Sequence, residues 1–141
     1  NDAGANGIRS LAAEYAAANP ERVLAVESLG ARRYLSTMAR CAAVVGNSSS
    51  GIIEAPSMRV PTVDIGGRQA GRQCADSVIH CAAGANDIAE AIAEALTPEA
   101  RMRAATVANP YYRPETPHAI VDAIFSHLPL SVAKTFYDIP R

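Results

Sequence analysis

The sequence predicts an α/β fold in which a parallel sheet is covered by helices on both faces. Three observations carry this. Short apolar runs at Val23–Val26, Ala42–Val45, Pro61–Ile65 and Ser77–Cys81 are long enough for buried strands and too short for helices. Between and after them, apolar residues recur at helical spacing. Such alternation places successive strands parallel, with the connecting helices packed on the sheet.

Each element has a local reason. Ile8, Leu11, Ala12, Tyr15 and Ala16 follow helical spacing until Asn19-Pro20 ends the segment, which predicts an amphipathic helix. Val23–Val26 follows as a strand and Gly30 breaks it. Tyr34, Leu35, Met38 and Ala39 share one face of a second helix that runs to about Arg40. After Ala42–Val45 comes a polar turn and a short helix from about Gly51 to Met58, where Pro56 is tolerated near the start. Pro61 suits the first position of the next strand because it has no N–H to give the ladder. Beyond the fourth strand, Asn86-Asp87 reads as a cap, and Ile88, Ala91, Ile92, Ala95 and Leu96 form an apolar stripe. Glu99–Val107 is expected to be helical. So is His118–Leu128, with Ile120, Val121, Ile124 and Phe125 turned inward. Asn109–Pro114 is an irregular aromatic loop, and Phe136 and Tyr137 in the last stretch are too large to be left in water.

At 141 residues, with 49% hydrophobic and 19% charged residues, the chain has room for one domain with a real core. A net charge of −1 provides no broad basic field, which argues against nucleic acid or an anionic membrane as the main partner. No apolar run approaches the roughly 18–20 residues of a membrane span, so a cytoplasmic protein is expected. Cys41, Cys74 and Cys81 are odd in number and widely spaced, suggesting neither a disulfide framework nor a zinc site. No metal or cofactor is implied. Asn1 is not a start methionine, which suggests a segment of a longer protein.

The stretch richest in chemistry is Val44–Pro56, where a strand stops at Gly46 and three serines and Gly51 precede an apolar helical segment. Unpaired amides at a helix start, together with hydroxyl donors, suit an anion such as phosphate. Glu54, placed in about the first turn, would repel a phosphate beside it and so suits a ribose diol. The alternative is that the serines cap the helix and Glu54 complements its dipole. In open parallel sheets, ligands bind beyond the carboxyl ends of the strands. Leu29-Gly30, Asn47–Gly51 and Gly66–Arg72, with Arg68 and Arg72, all fall on that edge.

Ser28-Leu29-Gly30, Arg33-Tyr34-Leu35, Gly46–Pro56, Val60–Val63 and Ile65–Arg72 together closely resemble the hydrolysing UDP-N-acetylglucosamine 2-epimerases, nearest to the bacterial sialic-acid-pathway branch. The resemblance runs from Asp2-Ala3-Gly4 to Phe136-Tyr137-Asp138. It implies a Rossmann-like domain at residues 1–128, most of the C-terminal half of a two-domain GT-B fold, followed by a tail at 129–141. It also implies that Ser48 and Ser49 bind the diphosphate of a UDP-sugar, Gly51 belongs to the UDP-binding residues, Glu54 holds the ribose hydroxyls, Arg68 contacts phosphate, and the backbone at Leu29 meets uracil. Arg72 is either a further phosphate contact or a salt-bridged surface arginine.

The reaction implied is deprotonation at C2 of the sugar, elimination of UDP and hydration to N-acetylmannosamine. The catalytic carboxylates and an important histidine of that family lie in its first domain, so no catalytic residue is assigned in this segment. Asp64 reads as a structural acceptor, Asp76 as solvated, Asp2 as a turn former, and His80, His118 and His127 as satisfied or solvent-facing. The partners expected are the UDP-sugar, the N-terminal domain and further copies of the full-length protein. Competing readings are the donor half of a GT-B glycosyltransferase, a 2-epimerase of a diacetamido UDP-sugar, and a non-catalytic nucleotide-sugar module. The resemblance also implies two missing strands upstream, one of them central in the sheet. Without it, Val23–Val26 lacks a neighbour, and the segment alone is expected to be poorly stable.

Overall fold

The computed structural model describes residues 5–129. Its elements are α1 (Ala5–Ala18), α2 (Gly30–Met38), β1 (Val44–Gly46), α3 (Ser50–Ile53), β2 (Thr62–Ile65), β3 (Val78–Cys81), α4 (Ala85–Ala95), α5 (Pro98–Thr106) and α6 (Thr116–Ser126). The three strands form a parallel sheet in the order β1-β2-β3, with Val45 opposite Val63 and Val63 opposite Ile79. The expected turn at Asp2 and the tail with Phe136 and Tyr137 lie outside the described residues.

The sheet is covered on both faces through β2, as its sequence requires. Successive strand residues point to opposite sides. Val63 and Ile65 meet Ala91, Ala95 and Ile92 of α4, together with Ile79 and Cys81 of β3. On the other side Thr62 faces α3, and its hydroxyl donates to the Gly51 carbonyl at 2.9 Å. Alanines on α4 keep that helix close to the strands, while Ala100 and Ala104 bury the inner side of α5. Thr97 caps α5 by accepting from the Ala100 N–H at 3.2 Å, and Pro98 occupies a first-turn position where its missing N–H costs nothing.

Three expectations are corrected. Val23–Val26 is not a strand but irregular chain, with Leu24 84% exposed. The reason is that a strand needs a neighbour to take up its amides, and the outer edge of β1 pairs with no other strand among the described residues. Ile120, Val121, Ile124 and Phe125 do not turn inward; α6 forms, but these residues are exposed. Ile8, Leu11 and Tyr15 of α1 are likewise exposed, and that alanine-rich helix owes its formation to propensity rather than packing. Among the described residues neither stripe finds a surface, because α3 and α4 already occupy the faces of their three-stranded sheet. Finally, α3 is a single turn of four residues rather than a helix to Met58. Pro56 has no N–H to extend the helix and disfavours helical backbone in the residue before it.

Candidate functional site

The carboxyl ends of β1 and β2 release two loops that are bonded to each other. β1 leaves the sheet at Gly46 with φ +152°, a conformation that side chains resist and glycine accepts. In the turn that follows, Ser48 Oγ accepts from the Ser50 N–H at 3.3 Å, and Ser48 O accepts from the Gly51 N–H at 3.0 Å. Ser49 stands at the start of α3 and makes no side-chain capping bond. The Ser50 hydroxyl accepts from Tyr34 Oη at 2.8 Å, which pins α2 to the turn. With α3 only one turn long, a helix macrodipole contributes little here. Hydroxyls, turn amides and arginines are what this edge offers an anion.

Gly51 is buried, and a Cβ on it would lie 2.6 Å from Thr62 Cγ2. Its place in the turn is therefore governed by the close approach of α3 to β2. Glu54 is not in the first turn but at the end of α3, because the helix stops there. Its Oε2 is buried without a hydrogen-bond partner among the described residues. An acceptor held this way suits a pair of hydroxyl donors, since an unmet buried carboxylate oxygen is costly.

Leu29 is half-buried, and with Gly30 and Tyr34 it lines a cleft of about 490 Å³ beside the serine turn. The Gly30 N–H donates to Ser28 Oγ at 3.2 Å, which fixes the backbone at Leu29.

The loop after β2 turns at Gly66, where φ is +75°, and carries an exposed Arg68. Gln69, only 3% exposed, donates from Nε2 to the Asn47 carbonyl at 2.7 Å. Arg72 Nη1 donates to Gln69 Oε1 at 2.9 Å, and the guanidinium lies 5.8 Å from the centroid of the Tyr111 ring. Tyr111 in turn donates to the Gln73 carbonyl at 3.0 Å. Asn109 Nδ2 reaches both the Ile53 carbonyl at 2.8 Å and Ser57 Oγ at 2.6 Å. Reading the sequence assigned no part to Gln69, Asn109 or Tyr111. Their partners lie 22, 56 and 38 residues away, so no local pattern marks them.

Deeper on the same edge, His80 Nδ1 lies 3.0 Å from Asp64 Oδ2. Asp64 is 2% exposed and its Oδ1 has no partner among the described residues. Removing the imidazole takes a hydrogen bond from a carboxylate already short of them. His80→Ala is therefore expected to lower stability by about 1–3 kcal/mol, read as a shift in the urea midpoint. Adding Asp64→Asn should recover part of the loss, since a neutral amide is less costly to bury than a carboxylate.

Burial pushes the Cys74 thiol up from its ordinary value, the Asp64 charge adds to the effect, and Arg72 partly offsets it. Cys41 is exposed. At pH 8 a neutral alkylating reagent should modify Cys41 well before Cys74, measured by peptide mass, because only thiolate reacts. Among the described residues no group of three or more His, Cys, Asp or Glu could hold a metal ion. No helix among them is long and apolar enough to cross a membrane.

A parallel α/β sheet with serine-, glycine- and arginine-bearing loops gathered at its carboxyl edge is the arrangement of a Rossmann-like domain. Residues 1–125 match the family model described as UDP-N-acetylglucosamine 2-epimerase, and the chain belongs to that family.

Similar proteins include a GDP/UDP-N,N'-diacetylbacillosamine 2-epimerase (hydrolyzing) of Campylobacter jejuni, 38% identical over 51% of this chain and 19% of the relative. The polysialic acid biosynthesis protein P7 of Escherichia coli is 33% identical over 81% of this chain and 30% of its own length. A UDP-N-acetylglucosamine 2-epimerase of Neisseria meningitidis serogroup B is 34% identical over 67% of this chain and 24% of the relative. The chain thus spans between 19% and 30% of these relatives.

Proposed function

We propose that this chain is the UDP-binding part of a hydrolysing UDP-N-acetylglucosamine 2-epimerase. Residues 1–128 would form most of the second Rossmann-like domain of a GT-B enzyme, with 129–141 as its tail. The observation that carries the reading is the bonding of the serine turn to the arginine loop at the carboxyl edge of the sheet, with Glu54 at the end of α3, its Oε2 buried without a partner among the described residues.

In this reading Ser48 and Ser49 donate to the diphosphate, Arg68 supplies positive charge, Glu54 accepts from the ribose hydroxyls, and uracil enters the cleft at Leu29. Arg72, bonded to Gln69, stands behind the phosphate position as a further candidate contact. Their task in the reaction is to stabilise UDP as it departs with the C1–O bond electrons, after a base on the other domain has taken the C2 proton. Water then adds to the resulting glycal-like intermediate, and N-acetylmannosamine is released. The acid/base groups would come from an N-terminal domain. The open edge of β1 and the exposed stripes of α1 and α6 fit the attachment of further chain. The full protein would be a cytoplasmic homo-oligomer.

The test is to titrate UDP into the full-length protein and to analyse the products from UDP-N-acetylglucosamine. Saturable UDP binding with release of UDP and free N-acetylmannosamine is expected. Transfer of the sugar to an added acceptor would instead identify a GT-B glycosyltransferase, and binding without turnover a nucleotide-sugar module. A second reading, a diacetamido UDP-sugar as substrate, is supported by the likeness to the Campylobacter relative. Comparing kcat/KM for the two sugars separates them.

A further inference from the structure

Gln69 is the side chain on which the two loops of the candidate site meet. Its amide is almost wholly buried, yet it sits in a loop whose neighbours Arg68 and Ala70 are exposed. Both ends of the amide are used. The Asn47 carbonyl accepts only a donor and the Arg72 guanidinium offers only donors, so the two partners fix which end is nitrogen and which is oxygen.

This bond has a consequence for the turn. A trans peptide is planar, and its C=O and N–H point in opposite directions. Holding the Asn47 carbonyl against Gln69 therefore directs the Ser48 N–H away from Gln69.

We propose that Gln69 is the positioning residue of the candidate phosphate site, fixing the Asn47–Ser48 peptide plane so that the serine turn presents its donors as a preformed unit. Arg72 orients Gln69, and Tyr111 beneath the guanidinium limits where Arg72 can go. Gln69 itself touches no ligand. Its effect passes through Asn47, so its loss weakens binding without removing any group that contacts phosphate. The proposal rests on the UDP-site reading above and adds a residue to it.

The experiment compares Gln69→Met and Gln69→Glu with the wild-type full-length protein, by UDP calorimetry and by hydrogen exchange of the Ser48–Gly51 amides, well below each melting temperature. Met keeps the volume and removes both hydrogen bonds. Glu keeps an acceptor for Arg72 but sets an oxygen against the Asn47 carbonyl. Both variants are expected to lose about tenfold or more in UDP affinity and to exchange faster at Ser48 and Ser49.

Unchanged exchange and unchanged affinity in a folded Gln69→Met protein would overturn the proposal. So would a Gln69→Glu protein that binds like wild type, because a merely space-filling role tolerates that change. Should the wild type not bind UDP, the functional reading fails by itself, and faster exchange at Ser48 in the variants still establishes the positioning role. If neither variant folds, the wild-type Gln69 side-chain amide decides: its protons must exchange slowly, and rapid exchange overturns the proposal.

Discussion

Replacing Arg68 by alanine is expected to weaken UDP binding by about 10- to 100-fold, the worth of one or two hydrogen bonds to a charged group. Arg68 is exposed on the loop that Gln69 ties to the serine turn, so its charge lies at the edge where an anion would sit. Ser48→Ala removes a neutral donor and should cost less, about threefold to tenfold. It also removes the acceptor of the Ser50 N–H, so its effect includes loosening of the turn. Calorimetry with UDP and uridine side by side checks the assignment. Both substitutions should weaken UDP and leave uridine nearly unaffected, because uridine has no phosphate to lose. Equal loss for the two ligands would place these residues elsewhere in the site.

Gly51→Ala is expected to be strongly destabilising. The added carbon would lie 2.6 Å from Thr62 Cγ2, well inside contact distance. Thr62 is stiff at χ1 and buried on β2, so it cannot swing aside without breaking its 2.9 Å bond to the Gly51 carbonyl. Overpacking of this kind costs about 1–3 kcal/mol and forces α3 away from the sheet, carrying the serine turn with it. The remedy is specific. Thr62→Ser removes the offending methyl and keeps the hydroxyl, so Gly51→Ala combined with Thr62→Ser should recover most of the loss in thermal denaturation. Gly51→Ala combined with Thr62→Val keeps the methyl, and no recovery is expected.

The parts of the fold that could be read from the sequence are those decided by neighbours. The strands at Thr62–Ile65 and Val78–Cys81 and the stripe of α4 fall where their apolar spacing placed them. Val23–Val26 has the same apolar character as those strands, but a strand is a property of a pair, and no strand among the described residues pairs with it. The stripes of α1 and α6 were visible as amphipathic patterns, yet a pattern does not say whether a surface is present to meet it. In α3 the signal is in the sequence: Pro56 closes the helix after one turn, and this puts Glu54 at the end of the element.

At the site, the serines, Glu54 and the arginines stood out by residue type and by their position after apolar runs. The bonds that join their loops did not. Tyr34 belongs by spacing to an apolar face, and its hydroxyl reaches Ser50. Asn109 and Tyr111 belong by sequence to an irregular aromatic loop, and they pin the far end of α3 and support Arg72.

Those same bonds govern when the site comes into being. The contacts that frame the serine turn span 16, 22 and 56 residues of chain, from Tyr34 to Ser50, Asn47 to Gln69, and Ile53 to Asn109. Ordering such long stretches must precede the bonds that reward it, and contacts of long sequence separation form slowly. During refolding, the helices α4 and α5, built from local contacts, would gain structure early, and the turn would be completed only as Asn109 docks. A site assembled last is also lost first when that docking fails, so ligand capacity should recover with the slowest phase of refolding rather than with helix content.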